Sequence, residues 1–192
     1  ANGLWHEVKK KATVWVLLDT SGSMMGEPME AAKKGAVRFL RQMEPDDVVQ
    51  VVSFNTTVSS LGTPGKVRDV GEALVAKVQG LYAGGNTALN DALLQSLDEL
   101  EKAKASGNGE RQYGIVVLSD GRDTSSSRSR ADVIQRLPPA EDATGTRLFS
   151  IAYGDEADAR FLEEVSERSN AVMLKGTTAD VDRLYHQLAS YF

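Results

Sequence analysis

The feature that most constrains the fold is a near-continuous apolar segment, residues 12–18, that stops abruptly at an acid. Its side chains show no alternation of apolar and polar types, which is typical of a strand covered on both faces. Similar segments recur at 48–54, 113–118 and 147–153. Apolar residues between them recur at helical spacing. Because strands that alternate with helices form right-handed βαβ units, the sequence predicts a parallel sheet between two layers of helices.

A short fifth segment, residues 57–61, follows the second strand across a hairpin-like connection. We therefore expect an α/β, doubly wound, mostly parallel sheet of about six strands with one antiparallel edge strand and helices on both faces. A further short strand is predicted at 171–174. The predicted helices cover residues 27–42, 69–78, a long segment from 89 to 100 or beyond, 130–136, 158–168 and about 179–191.

Length and composition indicate one globular unit. The chain has 192 residues, of which 41% are hydrophobic and 26% charged. We interpret 1–11 as a lead-in segment and 12–192 as a single domain. The first residue is Ala1 rather than methionine, and no signal peptide is visible, so we expect a piece of a longer protein.

Charge and cysteine content exclude several classes of function. The net charge is −5 and no dense Lys/Arg block is present, which argues against a nucleic-acid surface. The absence of cysteine excludes disulfides, thiolate metal sites and a cysteine nucleophile. The longest apolar runs have about seven residues, against the ~20 that a spanning helix needs. We therefore expect no membrane contact by this domain itself.

Side chains with oxygen atoms occur in three loops of the predicted fold. Asp19, Ser21 and Ser23 come directly after the first strand, Thr87 lies in a glycine-rich loop, and Asp120 follows the third buried strand. The carboxyl ends of parallel strands meet at one edge of the sheet, where ligands bind. Two carboxylates and three hydroxyls suit a hard divalent ion such as Mg²⁺ or Ca²⁺. Since hydroxyl ligands are neutral, the ion should accept one more anionic oxygen from outside.

The run from Asp19 to Met24 matches the DxSxS motif of von Willebrand factor type A domains. The Thr87 loop and Asp120-Gly121 resemble the second and third parts of that family's metal-ion-dependent adhesion site, and the similarity extends over nearly the whole chain. With Met24 after Ser23, the motif resembles its common prokaryotic variant. The resemblance implies a Rossmann-like fold with a metal ion at the top of the sheet.

What the resemblance implies for function is a binding module and not an enzyme. The hydroxyls of Ser21, Ser23 and Thr87 would bind Mg²⁺ (or Ca²⁺ or Mn²⁺), and Asp19 and Asp120 would bind it directly or through water. A Glu or Asp of a protein partner would complete the shell, as in adhesion or scaffolding. An extracytoplasmic or cell-surface location is favoured by the resemblance.

The residues alone leave two other classes of function possible. The first is a Mg²⁺-dependent phosphoryl-transfer enzyme, since an aspartate after a strand is also found in haloacid-dehalogenase-type phosphatases. Those enzymes need a second acid two residues later, where this chain has Ser21, and the P-loop pattern is missing. The second is a nucleotide-binding or structural α/β module with a vestigial metal site, although the GxGxxG fingerprint is absent after the first strand.

Several residues near these motifs carry weaker expectations. We expect at least one of Met24 and Met25 to pack beneath the loop, and Tyr82 to support its own loop. Asp123, in a polar segment after the third buried strand, is interpreted as a solvated charge.

Overall fold

The computed structural model of the chain describes residues 10–107, 110–119, 122–139, 145–153 and 156–192, the last range with side chains from residue 159 onward. Its centre is a seven-stranded sheet. The strands are β1 (Lys11–Asp19), β2 (Val48–Phe54), β3 (Val58–Ser60), β4 (Gly65–Lys66), β5 (Arg111–Ser119), β6 (Arg147–Tyr153) and β7 (Met173–Gly176).

The order of the strands is β3-β2-β1-β5-β6-β7, and β4 also pairs with β2. β1, β2, β5, β6 and β7 all run in the same direction, whereas β3 and β4 run antiparallel to β2. The predicted Rossmann-like class is confirmed, with β3 as the antiparallel edge strand. The sequence analysis does not include the seventh strand, β4, because two residues are too few to show a strand pattern.

Among the described residues, six α-helices cover the sheet: α1 (Glu27–Gln42), α2 (Val67–Gln79), α3 (Leu89–Ser106), α4 (Arg130–Arg136), α5 (Glu156–Arg168) and α6 (Val181–Ala189). Alternate residues of β1 face opposite layers. Val14 and Val16 pack in the core beneath α1, α2 and α6, while Trp15 and Leu17 pack in the core beneath α3, α4 and α5. The uninterrupted apolar run of β1 follows from this burial on both faces.

The position of β1 determines where a ligand can bind. β2 pairs with one side of β1 and β5 with the other, so the chain leaves β1 in one direction and returns on its opposite side. In open α/β sheets, ligands bind in a crevice at the carboxyl edge where the strand order reverses in this way, which here is beside the end of β1. Within the described ranges, no helix has the length and apolarity needed to cross a membrane.

Candidate metal site

Asp19 is the last residue of β1, and its side chain is fully buried at the carboxyl edge of the sheet. Both of its carboxylate oxygens are oriented by hydrogen bonds. Oδ1 accepts the backbone N–H of Ser21 at 2.8 Å, and Oδ2 accepts the hydroxyl of Ser119 at 2.9 Å. The Ser119 hydroxyl comes from the end of β5, so the carboxylate links the two central strands at the crevice.

The hydroxyls of Ser21 and Ser23 lie close together beside this carboxylate. The chain turns after Ser21 into a short 3₁₀ helix, Gly22–Met24, and this turn brings the two Oγ atoms to 3.1 Å. Ser21 is buried and Ser23 is exposed. Adjacent ligands of an octahedral Mg²⁺ at ~2.1 Å lie about 3.0 Å apart. The spacing of the two hydroxyls therefore fits two neighbouring positions of such an ion.

The glycine-rich loop that carries Thr87 is joined to the β1 loop by two backbone hydrogen bonds. The N–H of Gly22 donates to the carbonyl of Gly85 at 2.9 Å, and the N–H of Gly84 donates to the carbonyl of Thr20 at 2.8 Å. Gly85 has φ +82°, and a Cβ there would lie 2.8 Å from Oγ1 of Thr56. A side chain at this position is excluded by both the backbone conformation and the contact.

Thr87 itself is buried, and its backbone is held by the segment 122–129. Its N–H donates to Oγ1 of Thr124 at 2.9 Å. Its carbonyl accepts the N–H groups of Thr124 at 2.9 Å and of Ser125 at 3.1 Å. Thr124 thus positions Thr87, a role that the sequence analysis missed. The polar composition of the segment is the one available signal, since Asp, Ser and Thr side chains often bond to nearby backbone.

Asp123 holds the same segment against the beginning of α3. Its Oδ2 accepts the N–H of Asn90 at 2.8 Å, and its Oδ1 accepts the N–H of Ser126 at 3.0 Å. The carboxylate therefore satisfies a free N–H group of the first turn of α3, as a capping residue does. The interpretation of Asp123 as a solvated charge is wrong for this reason.

Of the five predicted metal ligands, the structure brings Asp19, Ser21 and Ser23 together and joins the Thr87 loop to theirs. Asp120 lies outside the described residues, although Ser119 directly before it contacts Asp19. No group of three or more His, Cys, Asp or Glu side chains in the described ranges is arranged to hold a metal ion. The five-residue ligand set therefore stays a prediction.

The two methionines after Ser23 differ in environment. Met24 is buried in the core, as expected for at least one of them, whereas the side chain of Met25 is 67% exposed. Tyr82 is 85% exposed. A ring with that exposure cannot support its loop by packing, so the expectation for Tyr82 is wrong.

Comparison with known proteins assigns the family. The family model described as von Willebrand factor type A domain matches residues 13–187. The chain belongs to the von Willebrand factor type A (VWA) family. Members of the VWA family generally mediate protein–protein interactions.

Two relatives in sequence show how this VWA chain compares with longer proteins. It is 28% identical over 159 residues to inter-alpha-trypsin inhibitor heavy chain H4 of Bos taurus, which covers 78% of this chain and 17% of the relative. It is 26% identical over 161 residues to an uncharacterized protein of Synechocystis sp., covering 84% of this chain and 36% of the relative. The chain thus spans well under half the length of either relative.

Solved structures share the VWA fold at low sequence identity. A von Willebrand factor type A structure from Catenulispora acidiphila has a TM-score of 0.76 at 17% identity, covering 94% of this chain and 42% of that one. Proximal thread matrix protein 1 of the mussel byssus, with a zinc-occupied MIDAS motif, has a TM-score of 0.74 at 17% identity, covering 95% and 48%. The pilus adhesin SpaC of Lactobacillus rhamnosus GG has a TM-score of 0.73 at 12% identity, covering 97% and 30%.

Proposed function

We propose that this VWA domain is a metal-dependent protein-binding module. It binds Mg²⁺, with Ca²⁺ and Mn²⁺ as other ions that the same oxygen ligands accept. The observation that carries the proposal is the buried Asp19 carboxylate, oriented through both oxygens beside a pair of hydroxyls 3.1 Å apart. The proposed ligands are Asp19, Ser21, Ser23, Thr87 and Asp120.

The partner that fits this ligand set is a protein segment with a Glu or Asp side chain. Three of the proposed ligands are neutral hydroxyls, so the negative charge of the protein ligands does not exceed the positive charge of a bound divalent ion. A carboxylate from outside supplies both negative charge and an oxygen of the type that hard cations bind. The domain would then act in adhesion or scaffolding.

We propose that the domain is not an enzyme. The position two residues after Asp19, where a phosphatase of the type considered above needs an acid, holds Ser21, and its hydroxyl lies against that of Ser23. His186 is the histidine within the described residues. Its ring contacts the side chain of Gln42, which is the last residue of α1. The candidate site lies before the first residue of that 16-residue helix, a length of ~24 Å. His186 is therefore too remote to serve as a general base there.

Titration of Mg²⁺ into chelator-treated protein tests the proposal. Calorimetry should show saturable binding below millimolar Mg²⁺, and a hundredfold excess over Kd should stabilise the fold by about 2.7 kcal/mol in thermal melts. Asp19→Ala should abolish both effects. Asp69→Ala, which removes an exposed carboxylate of α2, is the matched control and should bind as the wild type does. Absence of binding at millimolar Mg²⁺ would exclude the proposed metal site.

We also propose an extracytoplasmic or cell-surface location for the parent protein. The fold is shared with a pilus adhesin, and a metal-bound carboxylate ligand suits adhesion. Antibody labelling of intact cells that carry the parent protein should detect the domain. Recovery solely in the cytoplasmic fraction would contradict this location.

A further inference from the structure

The 123–128 segment, which follows β5, is hydrogen-bonded to the first turn of α3. The N–H of Asn90 donates to the carboxylate of Asp123 at 2.8 Å. The N–H of Asp91 donates to Oγ of Ser126 at 3.0 Å. N–H groups in the first turn of a helix have no partner within the helix. The 123–128 segment therefore caps the beginning of α3.

The side chain of Asp91 forms hydrogen bonds with the same segment in the opposite direction. Its Oδ2 accepts the backbone N–H of Ser127 at 2.9 Å, and its Oδ1 accepts the backbone N–H of Arg128 at 3.3 Å. An acid in the first turn of a helix is favoured by the helix dipole alone. In Asp91, however, both carboxylate oxygens also hold a segment that lies 36 residues further along the chain.

The other end of the 123–128 segment holds Thr87, one of the proposed metal ligands. Oγ1 of Thr124 accepts the N–H of Thr87 at 2.9 Å. The carbonyl of Thr87 accepts the N–H groups of Thr124 and Ser125. Thr87 precedes α3, and Asp91 lies in the first turn of that helix. One segment thus contacts Asp91 at one end and Thr87 at the other.

Hydrogen bonds, and not apolar packing, keep the 123–128 segment in place. It contains one Asp, one Thr, three Ser and one Arg, and none of these side chains is buried. Segments with few buried apolar contacts open locally at a low cost in free energy. The two N–H groups that Asp91 accepts should therefore have a large influence on how often the segment leaves α3.

We propose that Asp91 is a positioning residue of the metal site, because it holds the 123–128 segment on α3 and the segment holds Thr87. This inference rests on the proposed function, in which Thr87 is a metal ligand. The apparent affinity for the ion falls with the fraction of molecules whose ligands are in position. Such coupling is reciprocal, so a bound ion should also hold the segment more firmly on α3.

Asp91→Asn tests the proposal, because the amide keeps the shape of the carboxylate but directs a donor at one of the two N–H groups. Calorimetric titration should show Mg²⁺ binding weakened by about tenfold, as is usual when a partner of a metal ligand is lost. In about 1 M KCl the Debye length is about 3 Å, which removes most of the effect of the lost charge itself. The matched control is Asp98→Asn, in the same helix, whose carboxylate contacts Arg136 of α4. It should bind Mg²⁺ as the wild type does.

A variant at the other end of the segment changes no charge. Thr124→Val removes the hydroxyl that accepts the N–H of Thr87, and should also weaken Mg²⁺ binding. Because both substitutions act through the position of Thr87, Asp91→Asn/Thr124→Val should weaken binding by less than the product of the two single effects. Circular dichroism verifies that each variant is folded.

Amide hydrogen exchange, measured by NMR on the wild type, detects the coupling from the side of the segment. The N–H groups of Ser127 and Arg128 should exchange more slowly in saturating Mg²⁺ than in EDTA. The N–H of Ser129 is the internal control, because it follows the segment directly and is held by the carboxylate of Asp132 at 2.8 Å. Its exchange should be the same in both conditions.

The other outcomes separate this proposal from the proposed function. If the wild type binds Mg²⁺ and Asp91→Asn binds it equally well, Asp91 has no positioning role and the metal site remains. A weakening that disappears in the concentrated salt, or two single effects that multiply in full, would also overturn the role of Asp91. So would exchange of Ser127 and Arg128 that does not respond to Mg²⁺. Failure of the wild type to bind Mg²⁺ would overturn both proposals.

Discussion

The Ser119 hydroxyl controls the orientation of the Asp19 carboxylate, although it is not one of the predicted ligands. It donates to Oδ2 from the neighbouring strand, while the N–H of Ser21 holds Oδ1. Groups that orient a metal ligand are typically worth a factor of 10 to 100 in metal affinity. A carboxylate that rotates freely would also lose its hydrogen bonds in a buried setting.

Ser119→Ala should therefore weaken Mg²⁺ binding by about tenfold and lower the unfolding free energy by ~1 kcal/mol. Calorimetric titration and urea unfolding measure the two effects. Ser96→Ala is the matched control, because Ser96 is equally buried in α3 and its hydroxyl has no hydrogen-bond partner within the described structure. This control should bind Mg²⁺ normally and be at least as stable as the wild type. Equal Mg²⁺ affinity in both variants would show that Ser119 does not orient Asp19.

The sequence could identify the residues that bear ligand oxygens, but not those that position them. Asp19, Ser21 and Ser23 are close in sequence, and their pattern indicated a cation site. Ser119 lies 100 residues from Asp19, and Thr124 lies 37 residues from Thr87. Contacts of this kind depend on strand order and loop docking, which no local spacing encodes.

At the scale of elements, most segments are predicted well, whereas the last strand and the last helix are predicted less well. The predicted limits of α1, β2, α4 and β6 agree with the structure. β7 is Met173–Gly176, two residues later than predicted, and α6 is confined to Val181–Ala189. The register of β7 is set by pairing with β6, such as Ser150 with Met173. A four-residue edge segment does not contain that information by itself.

The contact between α1 and α6 depends on a glycine in the middle of α1. Gly35 faces the ring of Tyr185, and a Cβ at this position would lie 2.5 Å from its Cδ2 atom. Tyr185 is fully buried in the core, and this burial raises the pKa of its hydroxyl far above the usual range. The ring therefore has little room to move away from α1.

Gly35→Ala should consequently destabilise the protein by about 1–3 kcal/mol, the usual cost of overpacking. Helix propensity alone predicts the opposite, a gain of up to about 1 kcal/mol. Gly80→Ala, after the end of α2, is the control, because its Cβ would have ordinary contacts of 3.6 and 3.7 Å. It should change stability by less than about 0.5 kcal/mol. Urea unfolding measures both variants. A Gly35→Ala variant as stable as the wild type would show that α1 and α6 can move apart to accept the added methyl group.

At the scale of the whole molecule, acidic residues at helix starts should make stability depend on pH. The backbone N–H of Thr177 donates to Asp180 at 2.6 Å and lowers the pKa of that carboxyl. The backbone N–H of Ser129 donates to Asp132 at 2.8 Å and lowers the pKa of Asp132 likewise. A carboxyl whose pKa is lower in the folded state stabilises the fold only while it is ionised.

This stabilisation should be complete above the ordinary aspartate pKa of 3.8 and disappear as the pH falls through the lower folded values. Urea unfolding between pH 2 and pH 6 measures it. Asp132→Asn/Asp180→Asn should be less stable than the wild type at pH 6, and the two curves should converge at the acidic end. A constant difference across the whole range would contradict the assigned pKa shifts.

The hydrogen bond between Asp19 and Ser119 has a consequence for how the chain folds. It closes a loop of 100 residues. It therefore forms only after β1 and β5 have paired, although α1, β2, α2 and α3 lie between them in the sequence. Contacts between residues so distant in sequence form late and slow the folding of a chain. A metal ion at this site would then bind to the finished fold and leave the rate of folding unchanged, while slowing its unfolding.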